Sequence, residues 1–594
     1  MKENKGTDKE KRNTDKIIDH KIGNIQKCVR SSLESIITLF PLAAELFEEL
    51  DRLGIIQKMK DTPHLGALHV EKRSAKSRYD YTILQLHLHQ IIRGEQNIQR
   101  VLPYAYGSTV HIEVDSPEEQ RIKMTVADFL QIFTIINNIG HFNNTFVASK
   151  AAVIFAKQDQ GFREAILEAT DHREVIQKLL SAMDYRHYHL LNSLVVLKNC
   201  DQSKNSVKIA QELIELYLSA EKTEESEKLQ CIFDCYRTVR NVAYTAFDLQ
   251  IAKVPFTIDL SGRDSVGILF RELLSEYNDS SLPRKMIESV GKLLDDTVYN
   301  EESNTICYSV MSKEMVKALS LRTKWTANDY YDLLTDRDSC LNRTYRNRRD
   351  YLDESFLKLT FDREHSEISA GLLSKLEHTN GIRVGYYDRS NGKRTIVLSL
   401  KKSCEEKRKV AFHVLRLVTK YLRAIPNIQA DDSRFLLATK FFLYYFCDRN
   451  PIEIVPTIHE RICVLCTKGK QRRVRAVQML RQTNLGTEDQ DHEVENMCNV
   501  LKQDSINDVC ITLPSSIKVF DKKDRKTTHH EFDGMIIYPN RKEKQIVFLE
   551  AKNTKRASRA KRDLIRKLND LHIPFCEEEI RIQGKDAVLF YDIV

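Results

Sequence analysis

The stretch H529-HEFDGMIIYPNRKEKQIVFLEAKNTKRASRAKRDLIRK-L568 decides how the C-terminal part of the chain is read. EFDGMIIY (531–538) reads as a strand, PNRKEK (539–544) as a polar turn and QIVFLEAK (545–552) as a second strand rich in β-favouring residues. Side chains alternate faces along a strand, so Glu550 and Lys552 share one face, as do Glu531 and Asp533. If the two strands pair as a hairpin, Asp533, Glu550 and Lys552 converge at one end. A helix precedes this pair, DHEVENMCNVLKQ (491–503), with Val494, Met497, Cys498 and Leu501 as its apolar stripe.

Two close carboxylates make a hard, oxygen-rich site for Mg²⁺ or Mn²⁺. Such a metal polarises a phosphodiester and stabilises the leaving oxygen, and a nearby lysine offsets charge growing on the phosphoryl oxygens. These residues resemble the PD-(D/E)xK nuclease superfamily, whose domain is restriction-endonuclease-like. The Asp maps onto Asp533, followed by Gly534, and the Glu-x-Lys onto Glu550, Ala551 and Lys552. Phe532 stands where the family usually has proline. Members often carry a metal-binding glutamate on a preceding helix. Glu493 and Glu495 flank the apolar stripe here, and the resemblance favours Glu493, one turn before Met497 and two before Leu501. The resemblance implies an α/β nuclease domain over 486–594, with Asp533, Glu550 and Lys552 catalytic and Asp533, Glu550 and Glu493 holding the metal.

Basic residues cluster around this segment. Lys555, Arg556, Arg559, Lys561, Arg562, Arg566 and Lys567 are offset only by Asp563 and Asp570. Lys468, Lys470, Arg472, Arg473, Arg475 and Arg481 form a second cluster upstream. Such clusters neutralise phosphates, and nucleic acid, DNA in first place, is the expected partner. A solvated helix face is the bland alternative for either cluster.

Further upstream, residues 1–22 read as a flexible polar tail. Residues 23–400 read as a mostly helical domain closed by a β-hairpin, GIRVGYY–DRSNGK–RTIVLSL, around an Asn-Gly turn. Helices are expected over 31–53, 126–138, 163–183, 207–220 and 269–277. Residues 401–485 read as a helical, basic connector. Cys463-Val-Leu-Cys466 lacks a second Cys pair, so it reads as two helical thiols and not a zinc site.

Three runs in the helical half are similar to the HD-domain phosphohydrolases related to deoxynucleoside triphosphate triphosphohydrolases: SRYDYTILQLHLH (77–89), INNIGHFNNTF (136–146) and CYRTVRNVAYTAF (235–247). The positions of that family's metal ligands fall on Tyr81, Asn137, Asn138 and Tyr236, while Gly140 and His141 remain. Amide and phenol side chains bind transition metals poorly, so the resemblance implies a degenerate HD-like fold without its metal centre. The expectation is a metal-dependent nuclease with a helical regulatory or targeting half, in bacterial defence or repair by family habit. That half is the candidate surface for a homo-oligomer or a regulatory partner. One alternative is an HD-type nucleotide phosphohydrolase, with His64, His69, His87, His89 or His141 joining a carboxylate at a metal. The other is a non-catalytic nucleic-acid-binding scaffold.

Composition narrows the classes. The chain has 594 residues, 42% hydrophobic and 30% charged, which indicates several globular domains. Lys and Arg (92) exceed Asp and Glu (84) by only 8, so any nucleic-acid role rests on local clustering. The longest apolar runs, 35–47 and 435–447, are interrupted by Pro41 and Lys440, so no membrane span is expected. The polar start MKENKGTDKEKRNTDK has no apolar core for a secretory signal, and the 13 scattered Cys suggest reduced thiols; both imply a cytoplasmic protein.

Overall fold

The computed structural model describes residues 16–22, 33–68, 76–93, 109–113, 121–182, 185–218, 224–252, 269, 273, 282–343, 351–389, 392–429, 432–446, 452–456, 463–466, 488–503, 509–521, 528–552, 557–583 and 586–593. The chain divides into two compact units. One comprises Met1–Glu301 and Tyr308–Asn347, the other Glu302–Cys307 and Arg348–Val594.

The first unit is mostly helical. Its strands are the antiparallel pair β1 (Lys16–Ile22) and β2 (Leu33–Leu39) and the hairpin β3 (Thr109–Glu113) and β4 (Arg121–Thr125). Its helices are α1 (Pro41–Arg52), α2 (Ile55–Asp61), α3 (Arg78–Arg93), α4 (Val126–Ile139), α5 (Thr145–Gln158), α6 (Gln160–Glu168), α7 (Arg173–Ser181), α8 (Tyr188–Lys198), α9 (Asn205–Leu218), α10 (Glu224–Ala252), α11 (Leu282–Leu294), α12 (Glu302–Leu319, its first turn belonging to the second unit) and α13 (Ala327–Thr335). Helix α4 is buried along its whole length and packs against α1, α3, α8, α9 and α10. A helix buried on every side lies inside a bundle, and its polar side chains, Asp128 and Gln131 among them, are satisfied by hydrogen bonds to the chain around residues 38–43. Gly140 follows it, where a Cβ would lie 2.0 Å from the His189 carbonyl oxygen, so only glycine lets α4 and α8 approach this closely.

Three expectations for this part need correction. The tail is a strand over Lys16–Ile22, paired residue by residue with Leu33–Leu39. The helix expected over 31–53 begins only at Pro41; LESIITL before it is β-branched and extended, and proline is suited to a helix's first turn. The helix expected over 163–183 is two helices broken at 169–172, and 269–277 lies almost wholly outside the described residues.

The second unit holds β5 (Leu352–Phe361), α14 (Ser366–Glu377), β6 (Ile382–Asp388), β7 (Arg394–Lys401), α15 (Lys407–Leu422), α16 (Ser433–Phe446), β8 (Ile452–Pro456), β9 (Cys463–Cys466), α17 (Glu488–Gln503), β10 (Val509–Asp521), β11 (Thr528–Ile537), β12 (Ile546–Glu550), α18 (Ala557–Asp570), β13 (Ile580–Gln583) and β14 (Asp586–Tyr591). The expected hairpin is β6–β7, with β5 on the other edge of β7. The larger sheet runs β13-β14-β12-β11-β10-β8, every pair antiparallel. The 13-residue β10 carries both β9 and β8 on one edge, along its first and last parts. Cys463 and Cys466 therefore stand on a strand, not on the helix expected for them.

Residues 348–594 fall in one compact unit, so the expected division at 400 is not seen, while the expected boundary at 485 lies outside the described residues. Helix α16, FLLATKFFLYYF at its centre, packs on α15, β5 and β8. A single core runs from Leu357 and Leu359 of β5 through α15 and α16 to Ile537, Phe548 and Leu589 of the large sheet. Strand parity divides that sheet's faces. Ile536, Tyr538, Val547 and Leu549 pack with Met497 and Leu501 of α17, whereas Met535, Ile537, Ile546 and Phe548 pack with Ala560, Leu564 and Leu568 of α18. The C-terminal region is thus helix, sheet, helix in layers.

Candidate active site

Strands β11 and β12 pair from Gly534↔Leu549 to Ile537↔Ile546, and the acidic residues follow at the open end. Asp533 has the parity of Met535, and Glu550 that of Phe548, so both lie on the α18 side. The register of β10 against β11 shifts between Pro514↔Gly534 and Ile517↔Phe532, so Asp533 faces a bulge of two residues. A bulge re-aims the side chain opposite it, and here it lies beside the charged cluster. Gly534 points the other way: a Cβ would meet Met497 Cε at 3.0 Å and Leu549 Cδ1 at 3.1 Å, a close approach that brings α17 down on the sheet.

Asp533 Oδ2 accepts a hydrogen bond from the Ala551 N–H at 2.7 Å. Lys552 Nζ lies 2.8 Å from Glu550 Oε1 and 3.8 Å from Asp533 Oδ2. The hairpin thus brings together the three residues that strand parity predicts. Glu550 is fully buried. Its Oε1 faces the Lys552 ammonium. Burial, then the Glu550 charge, pushes Asp533 up to about 6. Burial works against the charge of Lys552, yet the hydrogen-bonding and charge of Glu550, with Asp533, outweigh it and hold Lys552 above its ordinary range. It is therefore a fixed ammonium and not a base near neutral pH.

The residues fit a divalent cation. Asp533, made reluctant to ionise by burial and by the Glu550 charge beside it, gains from an added positive charge. No three acidic, His or Cys side chains gather into a metal site among the described residues. Mg²⁺ commonly uses one or two carboxylates with waters and substrate phosphates, which a two-carboxylate site satisfies.

Glu493 does not join that pair in any such group. It is half-buried on α17, which packs on the opposite face from Asp533 and Glu550. The α17 residue that reaches the site is its neighbour His492, whose Nε2 lies 3.2 Å from Asp586 Oδ1. Asp586 also accepts the Lys552 N–H at 3.2 Å, so it ties the end of Glu-Ala-Lys to α17. Nothing near Asp586 in sequence marks it.

Lys567 is the other residue that sequence reasoning misplaces. Grouped with the phosphate-binding cations, it is instead buried, donating to Glu550 Oε2 at 2.5 Å and to the Glu531 carbonyl. A signal existed: Lys567 falls seven residues after Ala560 and three after Leu564, on the apolar stripe of α18. Arg559, Arg562 and Arg566 are exposed along another stripe of that helix, and Arg566 pairs weakly with Asp563 at 3.5 Å. Lys555, Arg556, Arg472, Arg473 and Arg475 lie outside the described residues.

In the first unit the three HD-like runs meet. Tyr81 and Tyr236 are buried, and the Tyr81 hydroxyl donates to the Arg240 carbonyl one turn beyond Tyr236. Asn137 Oδ1 pairs with His189 Nε2 at 3.1 Å, and Asn138 Nδ2 donates to the Thr134 carbonyl. The amides of Asn137 and Asn138, at positions where the resemblance places metal ligands, are thus occupied by internal hydrogen bonds. His64, one of the alternative ligands, pairs with buried Asp248 at 3.1 Å; His89 bonds Thr134, and His69 lies outside the described residues. No helix of the described residues is long and apolar enough to cross a membrane. The chain matches no family model, no curated protein and no solved structure.

Proposed function

We propose that the second unit is a metal-dependent nuclease hydrolysing phosphodiester bonds of nucleic acid, with the helical unit regulating or targeting it. The observation that supports this most is the convergence of Asp533, Glu550 and Lys552 within 3.8 Å at one end of an antiparallel hairpin. Asp533 and Glu550 would hold Mg²⁺ or Mn²⁺. Such a cation, when bound, polarises the scissile phosphodiester and eases departure of the leaving oxygen. Lys552, kept protonated by its two carboxylate neighbours, orients the attacking water and meets charge developing on the phosphoryl oxygens. Lys567 fixes the Glu550 carboxylate from its other oxygen, so that the site is ordered before substrate arrives. Arg559, Arg562 and Arg566 supply exposed positive charge for the phosphate backbone. The test is incubation of the purified chain with labelled DNA and RNA, single- and double-stranded, with Mg²⁺ or Mn²⁺, beside Asp533→Ala and Glu550→Ala. Cleavage by the wild type and by neither variant is expected. Equal cleavage by all three proteins would overturn the reading.

A further inference from the structure

Strand β12 ends at Glu550, where its ladders stop: the last pairs are Gly534↔Leu549 with β11 and Glu550↔Ala587 with β14. Ala551 and Lys552 follow outside both ladders. Each of their N–H groups is taken instead by a carboxylate from a flanking strand. Asp533 Oδ2 of β11 accepts from Ala551 at 2.7 Å, and Asp586 Oδ1 of β14 accepts from Lys552 at 3.2 Å. The same Asp586 oxygen lies 3.2 Å from His492 Nε2 on α17. A carboxylate only accepts, so His492 presents Nε2–H to it.

Asp586 is not placed to share a cation with Asp533 and Glu550. Ala587, the cross-strand partner of Glu550, packs in the core with α18, so Asp586 beside it has the parity of the α17 face. It gathers into no metal site with them among the described residues. Yet it is only 7% exposed, and burying a carboxylate is costly unless donors meet it. A strand end does not need this device, because water satisfies an exposed N–H. What a nearly buried carboxylate fastened to α17 adds is a fixed main chain at residue 552. Lysine carries its ammonium on a flexible stem, so where the Lys552 main chain stands limits where Nζ can reach. In place, Nζ lies 2.8 Å from Glu550 Oε1 and 3.8 Å from Asp533 Oδ2.

We propose that His492 and Asp586 are positioning residues that set the Lys552 ammonium for catalysis. The role rests on the nuclease reading and adds to it two residues that touch neither substrate nor metal. His492 holds the Asp586 carboxylate, Asp586 holds the Lys552 N–H, and the ammonium is thereby kept on the α18 side, between the two carboxylates it serves. Supporting groups of this kind typically change activity by about 10–100-fold when removed. Because the pair works only through Lys552, its effect vanishes once that ammonium is gone.

Single-turnover cleavage of whichever labelled DNA or RNA the full chain cuts, beside calorimetric Mn²⁺ titration, tests it. Asp586→Ala and His492→Ala should each cleave about 10–100-fold more slowly, with Mn²⁺ and nucleic-acid affinity close to wild type. His492→Gln keeps an N–H donor for Asp586 and should recover most of the rate. Asp586→Ala/Lys552→Ala should cleave no more slowly than Lys552→Ala alone, a non-additivity that a merely structural role would not produce. Should Asp586→Ala not fold, half-buried His492 decides, through His492→Ala with and without Lys552→Ala. Additive losses in the double variant overturn the proposal, as does His492→Gln as slow as His492→Ala. A wild-type chain that cleaves nothing removes the nuclease reading and this role with it. Wild-type cleavage matched by both alanine variants removes the role alone.

Discussion

Lys567 Nζ donates to Glu550 Oε2 at 2.5 Å while Lys552 approaches the other oxygen at 2.8 Å, so one fully buried carboxylate is held between two ammonium groups. The two lysines come from different elements and do different work. Removing Lys567 leaves Glu550 buried with half its compensation. Lys567→Met should therefore destabilise the second unit by about 3–5 kcal/mol. Glu550→Gln should relieve much of that loss in the double variant. A denaturant-unfolding cycle over the four proteins measures it; additive effects would mean that the pair is not coupled.

Lys552 is partly exposed, and its loss should cost little stability. Its charge matters when negative charge develops on a substrate. Lys552→Ala should bind nucleic acid and Mn²⁺ much as the wild type does, yet cleave about 10²–10³-fold more slowly. Single-turnover cleavage beside metal titration separates the two effects. A wild-type rate would remove Lys552 from the chemistry.

Asp533 sets a pH window. A carboxyl group raised to about 6 in the folded chain, against its ordinary 3.8, favours the protonated form on folding. Its ionisation therefore lowers stability as pH rises from about 4 to about 6, and the penalty is fully present above 6. Asp533→Asn removes that penalty and keeps an acceptor for the Ala551 N–H. At pH 7.5 the variant should be more stable by about 1–3 kcal/mol, although inactive. Chemical unfolding at pH 7.5 checks the gain; a loss of stability contradicts it.

The same group governs cation affinity. Protons compete with the metal for Asp533 below about pH 6, so Mn²⁺ affinity should fall roughly tenfold per pH unit below that point. Calorimetric titration from pH 5 to pH 8 would show it. A flat profile would mean that Asp533 is not a ligand.

Arg559, Arg562 and Arg566 face solvent. Reversing all three to Glu should change stability by about 0.5 kcal/mol or less per site. It should also flatten the salt dependence of nucleic-acid binding by about 0.7–0.9 for each phosphate that is no longer neutralised. Fluorescence anisotropy across a salt series gives the slope, and an unchanged slope would make the stripe a solvated face only.

Local pattern was enough to read the hairpin. The period of two in FDGMII and IVFLE places Asp533, Glu550 and Lys552 together, because neighbouring residues fix which face each side chain takes. Helix α4 and the β6–β7 hairpin were legible for the same reason. Long-range partners were not. Lys16–Ile22 carries no signal that Leu33–Leu39 will pair with it, and residues 352–446 carry none that their core continues into the large sheet. Lys567 and Asp586 reach the site from 17 and 34 residues beyond the groups they bond, Glu550 and Lys552. Helix and strand periods report which side of an element is buried, not what buries it. That choice is made by the packing of distant segments, which alone turned one lysine of a basic helix from a phosphate-binding cation into the partner of a buried glutamate.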